Sequence, residues 1–110
     1  MQSRSGAAPR EVPDVSVYML FIREKAVRDP AELQKYAQLA SEAAGDFKLR
    51  PLAVDGRLEA VEGEAPDAVV LLEFDSEEEA KAWYYSPSYQ AARQHRLKAA
   101  DYRGLLIHGN

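Results

Sequence analysis

The apolar residues of the chain gather in short stretches that indicate β-strands. Residues 15–22, 68–74 and 102–108 are rich in branched and aromatic side chains and are flanked by turn-forming residues. Such stretches are typical of strands that are buried on at least one face. We therefore predict a strand for each of these three ranges.

A fourth strand is predicted at residues 47–54, where Pro51 lacks an amide proton and favours an edge position or a bulge. Asp55-Gly56 is a turn dipeptide. We therefore expect residues 52–54 and 58–61 to form a small hairpin. The glycine, proline and acidic residues at 62–67 predict a loop.

Helical spacing of apolar residues begins after Asp29 and continues from residue 33 to residue 44. Asp29 is a suitable N-terminal cap, Pro30 suits the first helical position, and Glu32 completes the pattern of a capping box. Gly45 is expected to end this first helix.

A second capping box opens the next helix, where Ser76 precedes three glutamates that include Glu79. Because Pro87 cannot continue a helix without a break, this helix must bend or restart there. Ser86-Pro87 is a suitable start for a further helical segment that extends to about residue 100.

The order of these elements is strand, helix, strand with its hairpin, strand, helix, strand. This is the split βαβ pattern, an α+β ferredoxin-like βαββαβ subunit in which helices cover one face of an antiparallel sheet. At 110 residues the chain fits one domain, predicted at residues 15–110. Residues 1–14 have no periodic apolar positions and are expected to form a flexible tail.

The predicted strands are apolar on both faces, but the two helices lie on one side of the sheet and can cover only one of these faces. A strand with one face in water should alternate apolar and polar residues. In residues 15–22, Tyr18, Leu20 and Ile22 would face one side of the sheet, and the apolar residues between them would face the other. Residues 68–74 also place apolar residues on both faces. Packing the second face against another copy is the simplest remedy, so we expect a homodimer. A different partner chain, or the tail folded over the sheet, would serve the same purpose.

The composition excludes several classes of protein. The formal net charge of −4 and the lack of a basic stretch with aromatics argue against nucleic-acid binding. Without cysteine there is no disulfide, thiolate catalysis or cysteine-based metal site. No membrane-spanning or signal segment is visible, so a cytoplasmic protein without membrane contact is expected. The two histidines lack metal-ligand spacing, and we expect neither metal nor cofactor.

One segment carries a resemblance to a known family. The residues Ala82-Trp-Tyr-Tyr-Ser-Pro-Ser-Tyr-Gln90, with Arg96 and Ala99-Ala100 after them, resemble the domain of unknown function 1330 family. Leu72-Glu-Phe-Asp-Ser76, Val61-Glu-Gly63 and the spacing from Tyr36 to Gly45 support the likeness, which covers about residues 15 to 109. Gly45-Asp46 departs from the pair of glycines that this family tends to carry, which puts the turn geometry there in doubt.

The resemblance implies a dimeric α/β barrel, in which the sheet of one ferredoxin-like subunit packs against that of its twin. Similar barrels include cofactor-independent monooxygenases, muconolactone-type isomerases and ligand-sensing domains. Because the family itself has no assigned reaction, the resemblance implies little about activity, and a likeness of fold alone does not assign one.

Four residues are candidates for a ligand-binding pocket: Tyr36, Trp83, Tyr89 and Arg96. Trp83 and Tyr89 flank Pro87 and either line a pocket or simply pack in the core. Tyr36 lies on the apolar stripe of the first helix and is open to the same two interpretations. Arg96 suits a carboxylate of a ligand or of the protein, or it complements the dipole at the helix C-terminus.

Catalytic residues are unknown from the sequence, since no catalytic motif is present. His95 and Glu73 are the weak candidates: a histidine is a suitable general base near neutral pH, and Glu73 is the one acid in an apolar strand. Solvent exposure for His95, pairing of Glu73 with an arginine or water, and an exposed or interface position for His108 are the simpler expectations.

Our leading hypothesis is a protein that binds a small hydrophobic organic molecule, with a cofactor-independent reaction of monooxygenase or isomerase type as its enzymatic form. The alternative is a non-enzymatic module, either a ligand sensor or a structural dimer with a filled core. A water-accessible cavity with converging polar groups would favour the first hypothesis.

Overall fold

The computed structural model describes residues 16–109, so the predicted tail and Val15 lie outside the described residues. Seven elements follow one another along the chain. In order they are β1 (Val17–Arg23), α1 (Pro30–Ala44), β2 (Arg50–Val54), β3 (Ala68–Phe74), α2 (Glu77–Tyr84), α3 (Pro87–Ala99) and β4 (Tyr102–His108).

The four strands form one antiparallel sheet in the order β2-β3-β1-β4. At its centre Met19 of β1 lies between Leu72 of β3 and Leu106 of β4. Together with the helices, this order is the predicted ferredoxin-like α+β fold.

All three helices begin at a side-chain cap. Asp29 accepts a hydrogen bond from the N–H of Glu32 at 3.2 Å, and Ser76 accepts one from the N–H of Glu79 at 3.1 Å. Ser86 accepts from the N–H of Tyr89 at 3.1 Å, so the chain restarts as α3 at Pro87. These hydrogen bonds satisfy amides that have no partner within the helix.

The capping box predicted for α1 is formed only in part. The backbone N–H of Asp29 donates to the carbonyl of Ala99 at 3.2 Å, and the Glu32 carboxylate contacts His95 instead of returning to the cap. The predicted hydrogen bond from the Asp29 N–H to the Glu32 carboxylate does not form, because each of these two groups has a partner in the second half of α3. Gly45 ends α1 as predicted, but its φ of −62° is right-handed and does not require glycine.

The predicted hairpin after β2 does not form. Residues 58–61 contain no strand, and the N–H of Asp55 donates to the carbonyl of Val69 in β3 at 3.0 Å. Asp55 has a left-handed φ of 53°, and from there the chain leaves the sheet. The register shifts between Pro51 and Ala53, as expected of a proline in this strand.

The helices cover one face of the sheet and build the core there. Five strand side chains are buried against them: Val17, Met19, Phe21, Leu72 and Phe74. From α2 and α3, Trp83 and Tyr89 complete this core. No helix within residues 16–109 is long and apolar enough to cross a membrane.

The opposite face carries a second apolar surface, which we call the open face. By the pairing register, Leu20 of β1 lies there between Leu71 and Leu105, and Tyr18 lies beside Ile107. Leu105 and Ile107 are 43% and 39% exposed, whereas the strand residues of the buried core lie on the other face. The predicted two-faced apolar sheet is therefore present.

Candidate functional site

A cavity of about 360 Å³ lies between α1, the sheet and the start of the aromatic cluster around Pro87. We call it the helix–sheet cavity. Helix α1 lines it with Leu33, Tyr36 and Ala40, and the strands line it with Phe21, Val70 and Leu72. A space of this size, walled mainly by hydrocarbon and aromatic groups, suits a small organic molecule.

Tyr36 and Tyr89 meet at this cavity through their hydroxyl groups. Tyr36 lines the cavity from α1, and its hydroxyl oxygen lies 2.9 Å from that of the fully buried Tyr89. Burial, aided by the neighbouring Tyr89, raises the pKa of the Tyr36 hydroxyl. Tyr36 therefore stays neutral at physiological pH, so it can offer a hydrogen bond but is not a base there.

Trp83 forms one wall and is only 3% exposed. Its ring lies 4.2 Å from that of Tyr89 and 5.5 Å from that of Phe74, measured between centroids. The indole Nε1 of Trp83 is buried and has no hydrogen-bond partner within residues 16–109. A buried donor of this kind is normally satisfied, which makes its position beside a cavity notable.

Arg96 reaches the cavity from the last turn of α3 and is only 5% exposed. Its guanidinium carbon lies 5.5 Å, 5.8 Å and 5.2 Å from the ring centroids of Phe21, Tyr36 and Tyr102. Its Nε has no hydrogen-bond partner among residues 16–109. None of the ion pairs within residues 16–109 includes Arg96, so a carboxylate of the described chain does not hold it.

A second cavity of about 480 Å³ lies over β4 and shares Phe21, Arg96 and Tyr102 with the first. We call it the β4 cavity. Arg93, one turn before Arg96 on α3, also lines it. The residues lining the β4 cavity include no aspartate or glutamate, so its local charge is opposite to that of the whole chain.

The structure thus brings together all four predicted ligand-binding residues. Tyr36, Trp83 and Arg96 line the helix–sheet cavity, and Tyr89 supports it from behind through the Tyr36 hydroxyl. Both sequence interpretations apply to the aromatic residues, because they pack in the core and also bound a cavity. Whether these residues bind a ligand stays a prediction.

The two weak catalytic candidates lie elsewhere. His95 Nδ1 is 2.7 Å from Glu32 Oε1, a contact that joins α3 to α1, and neither residue lines the helix–sheet cavity. Glu73 faces the open side of the sheet, where it accepts a hydrogen bond from Arg50 Nε at 3.0 Å, in line with the simpler expectation of an arginine partner. The partly exposed His108 pairs with Glu77 at 3.1 Å.

Three residues of the site were not found from the sequence. Phe21 and Tyr102 place their rings against Arg96. Gly104 is paired with Phe21, and a Cβ atom at this position would lie 2.9 Å from the Phe21 ring. Any larger residue at position 104 would therefore clash with the ring in its present position. A glycine inside a strand is a recognised signal of close approach by another group, and it could have drawn attention to Phe21.

The side chains that bind metal ions are not gathered in the described part of the chain. No group of three or more histidine, aspartate or glutamate side chains there could hold an ion. The helix–sheet cavity is lined by aromatic rings, hydroxyl and indole groups, the guanidinium of Arg96 and a single carboxylate, that of the exposed Asp55. This is not the set of side chains that holds a metal ion.

Comparison with known proteins gives a family and a fold. The family model described as "Domain of unknown function (DUF1330)" matches residues 16–110. None of the curated proteins compared with the chain matches it.

Solved structures with the same fold are distant in sequence. The RPA0582 protein of unknown function from Rhodopseudomonas palustris is 16% identical, with a TM-score of 0.68 over 88% of this chain and 84% of that one. A dimeric ferredoxin-like protein of unknown function from Thermobifida fusca is 11% identical, with a TM-score of 0.60 and coverage of 92% and 98%. A candidate antibiotic biosynthesis monooxygenase from Nitrosomonas europaea is 14% identical, with a TM-score of 0.57 and coverage of 89% and 91%.

Proposed function

The chain belongs to the DUF1330 family, and from this premise we propose that it is a homodimeric protein that binds a small, largely apolar organic molecule in the helix–sheet cavity. The observation that carries the proposal is the cavity itself, since the core is not filled at the place where Tyr36, Trp83 and Arg96 converge. The space is partly open to solvent, since Ala37, Pro51 and Asp55 of its lining are exposed, so a small molecule can enter it.

The walls of the cavity suit a molecule with an apolar body. Leu33, Ala40 and Val70 offer hydrocarbon surface, and Trp83 offers an aromatic face. Such surfaces bind apolar groups by removing them from water. Tyr36 also lines the cavity, and its hydroxyl, which pairs with that of Tyr89 at 2.9 Å, is the group that we expect to orient one polar group of the ligand.

Binding without proton transfer by a side chain is the activity that this geometry supports best. His95 and Glu73 are not among the residues that line the cavity, and the raised pKa of Tyr36 keeps its hydroxyl protonated. The one carboxylate in the lining is that of the exposed Asp55, so a monooxygenase- or isomerase-like reaction would have to use Asp55 as its base or act on a reactive substrate. We therefore favour a ligand-sensing or carrier role. As the sequence leads us to expect, we propose that the protein has this role in the cytoplasm.

The homodimer is proposed from the open face of the sheet. Leu20, Leu71 and Leu105 lie side by side there, and leaving such a surface in water is unfavourable. The Thermobifida fusca protein of the same fold is described as dimeric. A second copy of the chain would cover this face about a two-fold axis and leave the helix–sheet cavity on the other side of the sheet accessible.

Binding of toluene, a neutral apolar probe, tests the cavity. Trp83 is the one tryptophan of the chain and lies in the cavity wall, so its fluorescence should change and saturate as toluene binds. In Ala40→Leu the longer side chain fills part of the cavity, and the affinity for toluene should fall by about tenfold.

The matched control is Ala91→Leu, which makes the same change on an exposed position of α3. This variant should bind toluene as the wild type does. A fluorescence change that does not saturate, or an equal affinity in Ala40→Leu, would show that the cavity is not a binding site.

A further inference from the structure

We propose that the molecule held in the helix–sheet cavity is an anion, and that its carboxylate group binds to the guanidinium of Arg96. This inference rests on the proposed function, because it names the chemical class of the ligand for the same cavity. Its observation is different: it is a buried arginine that has no carboxylate counterion among residues 16–109, whereas the proposed function depends only on the apolar space.

The charge of Arg96 has no counterion in the described chain. The side chain is 5% exposed, its Nε has no hydrogen-bond partner, and no ion pair of residues 16–109 includes it. Arginine is almost never fully buried unless it is paired, because its hydration is lost. A carboxylate on the ligand would supply the missing partner, commonly through two parallel hydrogen bonds.

The aromatic rings around Arg96 hold the side chain in place but do not neutralise it. Phe21, Tyr36 and Tyr102 lie 5.2–5.8 Å from the guanidinium carbon. Contacts of this kind favour the cation without accepting hydrogen bonds in the plane of the guanidinium. The in-plane donors are therefore the part of Arg96 that a planar acid group would use.

The remaining polar groups near Arg96 also favour an acceptor over a donor. The Trp83 indole can only donate a hydrogen bond, and its Nε1 has no partner. Arg93, one helical turn before Arg96, lines the adjoining β4 cavity and has a buried Nε without a partner as well. The helix–sheet cavity is thus lined by the positive charge of Arg96 and by Trp83 with its unused donor, and Arg93 adds a second positive charge to the adjoining β4 cavity.

A singly charged carboxylate fits these groups better than a phosphate. Arg96 is the one cationic side chain that lines the helix–sheet cavity, and the exposed Asp55, which forms no ion pair with Arg96, is the one carboxylate. Phosphate sites normally gather more positive charge or several backbone amides. The rest of the wall is largely apolar. We therefore infer a small aromatic or aliphatic monocarboxylate, with its body in the helix–sheet cavity and its acid group at Arg96.

The test compares benzoate with benzamide, which have nearly the same shape and differ in charge, using Trp83 fluorescence excited at its red edge. In the wild type, benzoate should bind about tenfold more tightly than benzamide, as expected of a hydrogen bond to a charged group. In Arg96→Met this preference should disappear while benzamide still binds. Lys98→Met removes one positive charge from an exposed position on the same helix and should keep the preference.

The wild-type comparison decides the inference even if Arg96→Met does not fold. Equal binding of benzoate and benzamide, or binding of toluene alone, would overturn the anionic ligand and leave the apolar cavity standing. A preference for benzoate that survives in a folded Arg96→Met variant would overturn the role of Arg96. If toluene, benzamide and benzoate all fail to bind, the proposed function fails and this inference falls with it.

Discussion

Arg96 occupies a position where an aliphatic side chain would normally pack. Its charge is removed from water at 5% exposure, which is costly for any ion without a counterion. The contacts with Phe21, Tyr36 and Tyr102 offset part of this cost, since a cation near an aromatic ring gains about 0.5–2 kcal/mol. An arginine kept for a ligand should therefore lower the stability of the empty protein.

Replacing Arg96 with Met removes the charge and keeps an unbranched side chain. We expect the free energy of unfolding of the unliganded protein to rise by about 1–2 kcal/mol, because replacing buried charge with apolar packing is often stabilising by this order. Urea denaturation measures the change. Arg28→Met is the control, since Arg28 is exposed and paired with Asp101 at 3.0 Å; it should bring no gain. A loss of stability in Arg96→Met would favour a structural role for Arg96.

Helices α1 and α3 form the pair that carries most of the site. Tyr36 of α1 contacts Tyr89 of α3 through their hydroxyls, and Glu32 contacts His95 about two turns further along α3. The backbone N–H of Asp29 also donates to the carbonyl of Ala99. Because Tyr36 and Arg96 reach the helix–sheet cavity from these two helices, a shift of one helix against the other would change its shape.

The contact between Glu32 and His95 predicts how acid weakens this pair of helices. The hydrogen bond with His95 lowers the pKa of the Glu32 carboxyl below its ordinary value. A carboxyl whose pKa is lower in the folded state adds stability above its unfolded pKa, and this stability is lost as the pH falls through the folded pKa. Glu32→Gln should therefore be less stable than the wild type at neutral pH, and the difference should shrink below about pH 4.3.

Urea denaturation at a series of pH values measures this difference. Glu42→Gln changes an exposed carboxylate on the same helix and serves as the control, which should show a smaller effect of pH. An equal difference between Glu32→Gln and the wild type at neutral and at acidic pH would show that the contact with His95 does not couple to the ionisation of Glu32.

The helix starts were predictable from the sequence because each depends on residues three positions apart. The side chains of Asp29, Ser76 and Ser86 each accept a hydrogen bond from an amide three residues later. The hairpin after β2 failed for the opposite reason. The amide of Asp55 pairs with Val69 of β3, a distant residue, and this contact outweighs the local preference of the Asp55-Gly56 dipeptide.

The candidate site was predictable in its members but not in its electrostatics. Tyr36, Trp83, Tyr89 and Arg96 could be selected because each is a large or charged residue on a helix face that meets the sheet. The lack of a counterion for Arg96 depends on which side chains β1, α1 and β4 place around it. That information lies in contacts between elements, and neither spacing nor composition contains it.

At the scale of the whole molecule, the two faces of the sheet differ in the side chains that they present and in the contacts that we propose for them. The helix face supports the cavity, and the open face presents Leu20, Leu71 and Leu105 as a continuous apolar surface. If a second copy covers the open face, the binding residues of one subunit stay on its own helix side. Assembly and ligand binding would then be separable by substitution.

Leu105→Lys is the substitution that tests the assembly. Leu105 lies on the open face and is 43% exposed, so a lysine is tolerated in the monomer but would be buried without a partner in a dimer. Burying an unpaired charge costs several kcal/mol, so we expect the dimer dissociation constant to rise by about a hundredfold or more. Native mass spectrometry and sedimentation equilibrium over a range of concentrations should give twice 12.3 kDa for the wild type and the monomer mass for the variant.

The control is Val61→Lys, at a loop residue that is 92% exposed, which should stay dimeric. A wild-type chain that is monomeric, or a Leu105→Lys variant that dimerises as well as the wild type, would show that the open face is not the interface. If the monomeric Leu105→Lys variant binds toluene, each subunit holds a complete helix–sheet cavity.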